Sequence, residues 1–144
     1  MSRIVPLPTT NTVVDNTVAI INADGSVASF AGPATTVSRI PSSENTTNAT
    51  SAKASAGKLF SVNGYNSSAT VTYLKFYDKA TAPTVGTDTP VLTYALPATA
   101  AFSFPVPFGF ATGIGYGLVT GAADNNNTAV GAGDVLGLSI VWAA

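Results

Sequence analysis

Hydrophobic positions in this chain recur at every second residue. Phe102, Phe104, Val106, Phe108 and Phe110 alternate with Ser103, Pro105, Pro107 and Gly109, and Ile114, Tyr116, Leu118 and Thr120 continue in the same parity. A period of two turns one side of a strand into a core. The same signal marks residues 59–65, 70–77, 91–96 and 135–142. In 70–77 it sets Leu74 and Phe76 on one face and Tyr73, Lys75 and Tyr77 on an exposed one. In 135–142, Leu136, Leu138, Ile140 and Trp142 share one parity. Gly115, Gly117 and Gly137 face away from the apolar parity, which predicts a bulge or a close backbone approach. No window carries a 3.6-residue stripe. Short strands at close spacing predict an all-β fold, a jelly-roll-like two-sheet β-sandwich over residues 51–144.

Residues 1–50 read differently, as an extended N-terminal arm. Pro6, Pro8, Pro33 and Pro41 punctuate it, and the Ser/Thr/Asn-rich run 42–50 reads as a linker. Two apolar runs flank Asp24-Gly25, a pair suited to a hairpin turn. A lone hairpin is marginal in water unless its apolar face is covered. The arm therefore packs on its own body or on a neighbour, and its extended, proline-rich character favours the neighbour. Ile4, Val5, Leu7, Val13, Val14, Val18 and Ile20 are its candidate contact residues.

Composition narrows the chemistry. With no His and no Cys among 144 residues, Cys/His zinc sites, Ser-His-Asp triads, thiol catalysis and haem ligation by those residues are excluded. A net charge of −1 lacks the basic footprint of a nucleic-acid binder. Charged residues make up 9% of the chain, against about 25% in typical domains. The surface is then carried by Thr, Ala, Ser and Asn, which are cheap to desolvate, as suits a subunit held against other protein. The same composition also suits a β-rich domain that is merely rich in Thr and Ala.

No residue between Asp88 and Asp124 is charged, and 98–119 is apolar enough in length for a membrane span. Its prolines, glycines and two-residue period read instead as strands, so no membrane is expected. Residues 1–8 lack the apolar core of a secretory signal, which leads us to expect synthesis and folding in the cytosol of the producing cell.

Each carboxylate falls in or beside a predicted turn, where Asp bonds its own backbone. No pair is set across a sugar as glycoside hydrolysis requires, and Asp124–Thr128 lacks the ligand spacing of a calcium loop. We expect no enzyme activity, no metal and no cofactor. Tyr73 and Tyr77, with Lys75 and Lys79, form the candidate contact surface of the body, for a protein or for a sugar.

Several stretches carry a family resemblance. They are Ala56-Gly57-Lys58, Gly64-Tyr65-Asn66, Tyr73 to Ala80, Ala82 to Pro90, Thr112 to Tyr116, Thr120 to Asp124 and Gly133-Asp134. From about residue 55 to 144 the chain resembles a β-sandwich module of tailed-bacteriophage virion proteins, notably small capsid decoration, or cement, proteins. The resemblance implies a jelly-roll-like homotrimer on the outside of an icosahedral shell, bound to the major capsid protein at three-fold positions between capsomers, with no catalytic residues. Similar modules on head fibres and tails give the alternative, a receptor- or glycan-binding module.

Overall fold

The computed structural model describes residues 12–14, 17–19 and 35–144. The chain divides into two units, Met1–Gly32 and Pro33–Ala144. In the first, β1 (Thr12–Val14) pairs antiparallel with β2 (Thr17–Ala19), placing Val13 opposite Val18. These strands carry Val13, Val14 and Val18 of the arm candidates. Ile4, Val5, Leu7 and Ile20, and the hairpin expected around Asp24-Gly25, lie outside the described residues.

The second unit is a two-sheet β-sandwich, with no helix among the described residues. Its strands are β3 (Thr36–Ser42), β4 (Thr50–Lys53), β5 (Gly57–Asn66), β6 (Thr72–Asp78), β7 (Leu92–Leu96), β8 (Ala100–Phe110), β9 (Ile114–Val119) and β10 (Val135–Ala143). The first sheet runs β3-β10-β5-β8 and the second β4-β9-β6-β7, with every neighbour antiparallel. The pairs nest: β6 with β7, β5 with β8, β4 with β9 and β3 with β10. This is one long hairpin folded over on itself, the winding of a jelly roll.

The core follows the two-residue period. In β8, Phe102, Val106 and Phe110 are buried, Phe104 and Phe108 are half-buried, and the intervening residues are exposed. Phe76 is fully buried and meets the rings of Tyr94, Phe110 and Tyr116, with centroids 6.3–6.4 Å apart. These partners come from β7, β8 and β9, so one ring ties together strands of both sheets.

The body is longer than its apolar pattern suggests. Residues 36–42, which the sequence assigns to the arm, form the edge strand beside β10, with Ile40 opposite Leu138. Only Ser38 and Ile40 of that strand are half-buried, so it has little apolar signature. The supposed linker is also structural. Ser43 is 3% exposed, donates to Gly131 O (2.9 Å) and accepts from Val135 N (3.0 Å).

The parity of β10 reverses at Gly137. Between Leu136 and Ser139 the β10–β5 register slips, and Gly137 stands at φ +61°. A bulge admits one extra residue and turns the preceding side chain over, and glycine takes that backbone angle without a Cβ clash. Val135 is therefore buried, while Leu136 turns outward beside Tyr65, 38% exposed, against the core position expected for it. Gly117 shows the other expected reason for glycine: a Cβ there would lie 2.7 Å from Val85 Cγ2.

Candidate functional site

The two sheets differ on their outer sides. In the second sheet, β9 is buried along its whole length and β6 from Leu74 to Tyr77. Loops 79–91 and 120–131 roof it. Pro83 and Val85 close over Gly115 and Gly117, while Gly86 packs against Asn127 of the other loop. Lys75 and Tyr77, read from sequence as exposed, lie under this roof, 0% and 1% exposed. Tyr77 is therefore no surface contact. Tyr73 is half-buried. Alternation along a strand says which residues share a face, but not whether a distant loop covers it.

The roof explains how a charge sits there. Lys75 Nζ donates to the carbonyl of Ala123 and reaches those of Asp124 and Asn126, each at 3.4 Å. Asn126 organises the same loop, accepting from Gly121 N (3.1 Å) and Thr128 N (3.3 Å) through Oδ1. Burial holds the Lys75 ammonium below its ordinary pKa, and the Asp124 charge partly opposes that shift. Lys79 pairs with Asp88 at 2.5 Å, and Asp88 also accepts from Thr84 N. The hydrogen bond from Lys79 and then that from Thr84 N hold the Asp88 carboxyl below its usual range. Asp78 accepts from Thr112 N (2.7 Å), Ala111 N and Gly113 N, and these amides, Thr112 first, lower its pKa.

Tyr77 gives a pH prediction. Burial, then the Asp88 and Asp124 charges, push its phenol up to about 12, and its hydroxyl has no hydrogen-bond partner. The folded chain keeps this proton to about pH 12, whereas an unfolded tyrosine loses it near 10. Stability from Tyr77 is thus complete below pH ~10 and declines towards pH ~12, by roughly 2–3 kcal/mol in total. Burial raises Tyr116 in the same sense; Lys75 has the opposite sign, its burial penalty easing as pH approaches 10.5. Tyr77→Phe should be within about 0.5 kcal/mol of wild type at neutral pH, since no bond is lost. In denaturant titrations it should flatten the alkaline decline; an unchanged decline would remove Tyr77 as its source.

The outer side of the first sheet is bare of any segment from residues 35–144. Register and burial define three rows across it. Val37, Val141, Ser61 and Pro105 make one, and Arg39, Ser139, Asn63 and Ser103 the next. Leu136, Tyr65 and Ala101 form the third. A polar row thus runs between two more apolar ones. Val37 is 54% exposed, Tyr65 41% and Phe60 37%. Beside Phe60, a depression of about 260 Å³ is walled by Pro107, Phe108 and Lys58. The outward residues include Arg39 and Lys58 and no carboxylate. The second-sheet roof, in contrast, carries Asp88 and Asp124.

Sequence reasoning missed this face because Val37 falls in the proline-marked arm and Leu136 sits on the apparent core parity. Phe60, apolar between core residues Leu59 and Val62, was the available signal. Among the described residues, no three His, Cys, Asp or Glu converge as metal ligands, and no helix is long and apolar enough to cross a membrane. Comparison with known proteins finds no matching family model, no matching curated protein and no matching solved structure.

Proposed function

We propose that this chain is a structural virion protein, without catalytic activity, that decorates and stabilises a tailed-phage capsid from outside. In this reading a homotrimer binds the major capsid protein at three-fold positions between capsomers. The bare face of the first sheet carries the proposal. A four-stranded surface with exposed Val37, Phe60, Tyr65 and Leu136 loses little on desolvation and gains from apolar burial. Arg39 and Lys58, with no acid among them, select a shell surface bearing carboxylates. The sequence resemblance supports the same assignment. A sugar platform built on Tyr77 and Lys75 has no support, since both lie beneath the roof loops.

The test is cosedimentation with phage shells assembled without this protein. Tyr65→Asp and Arg39→Glu should each weaken shell binding by about 30-fold or more, the level of an interface anchor. Ala122→Asp, on the exposed roof loop, should bind as wild type. Undiminished binding by both face variants would reject this face as the shell contact. Failure of the wild-type protein to bind shells would reject the function itself.

A further inference from the structure

Sheet edges expose unpaired backbone groups, and natural proteins guard them with prolines, charges, bulges or brevity. The sandwich has four edges, formed by β3, β8, β4 and β7. Three are guarded. β3 carries Arg39 and Pro41. β8 carries Pro105 and Pro107, and its register with β5 slips between Leu59 and Ser61. β4 has four residues, includes Lys53 and is irregular between Ser51 and Lys53.

The fourth edge has no such device. β7 reads Leu92-Thr93-Tyr94-Ala95-Leu96, without charge, proline or glycine, and pairs with β6 in unbroken register. It lies in the uncharged stretch between Asp88 and Asp124. Its ladder runs to β6, and among the described residues one side-chain hydrogen bond reaches its backbone, from Asn66 Nδ2 to Leu96 O (2.9 Å). Apolar groups at this border are incompletely covered. Leu92, Tyr94 and Phe104 are half-buried, although Tyr94 stacks on Phe104 at 5.3 Å, and Val91 is 43% exposed.

We propose that β7 pairs antiparallel with β7 of a second copy of this chain, about a two-fold axis through Tyr94. The strand is self-complementary: the axis sets Leu92 of each copy opposite Leu96 of the other, and Thr93 opposite Ala95. No charge is buried, and two second sheets join into one of eight strands. Pro90 and Pro97 bracket the strand, so the pairing stops after five residues instead of spreading. A two-fold contact is separate from any three-fold one and does not depend on the proposed function. With it a monomer becomes a dimer and a trimer a hexamer.

The experiment is the mass of the full chain by sedimentation equilibrium. Thr93 and Ala95 are exposed and point away from the core, so charged side chains fit there. Thr93→Glu with Ala95→Glu sets like charges opposite each other across the axis and should halve the wild-type mass. Thr93→Glu with Ala95→Lys sets opposite charges there and should keep the wild-type mass. Thermal melts of both variants confirm that each is folded. An odd number of copies in the wild-type assembly, or a mass that a folded double-Glu variant leaves unchanged, would overturn the pairing.

Discussion

Phe76→Ala is expected to lower the stability of the sandwich by about 3–5 kcal/mol, the cost of emptying a buried aromatic site. The ring is fully buried, and its neighbours come from three other strands, so the vacancy has no single side chain able to collapse into it. Against a total stability of roughly 5–15 kcal/mol, such a loss leaves a marginal protein. Denaturant melts measure it directly. Phe60→Ala is the control, since Phe60 is aromatic but 37% exposed, and it should cost less than about 1 kcal/mol. Equal losses at the two sites would mean that Phe76 does not join the sheets as described.

Lys75→Met should cost about 2–3 kcal/mol, from loss of the charged donor to a cluster of carbonyls. Methionine keeps much of the length of the side chain, so the loss reports the ammonium more than packing. The expected pattern is local. Loop 120–131 should open first, seen as faster proteolysis and amide exchange around Ala123–Asn126, while the β5–β8 ladder keeps its protection. If the variant melts as wild type and the loop stays protected, the loop is held by Asn126 alone.

The apolar rhythm of the sequence located six of the eight strands of the sandwich, because those strands supply its core. It missed β3 and β4, whose contribution is backbone pairing at a sheet margin more than side-chain burial. Ile40 is the main apolar contribution of β3, and one residue makes no period. The direction of Lys75 and Tyr77 was legible, but not their burial, which depends on the loops that roof the second sheet. Gly117 and Gly137 announced irregularities correctly, yet which of them reversed the parity of its strand was decided by pairing with β5. The candidate docking face followed the same logic. It combines residues from β3, β5, β8 and β10, whose alignment depends on register across distant segments.

The nested winding also constrains how the protein is made. β10 lies between β3 and β5, so the first sheet has a vacancy in its middle until the residues around Val135–Ala143 become available. On a ribosome, the β6–β7 hairpin can close early, whereas β3 must wait for a partner synthesised about a hundred positions later. Such long-range closure makes for slow maturation. During that interval the margins of β3 and β5 that face β10 stay unpaired.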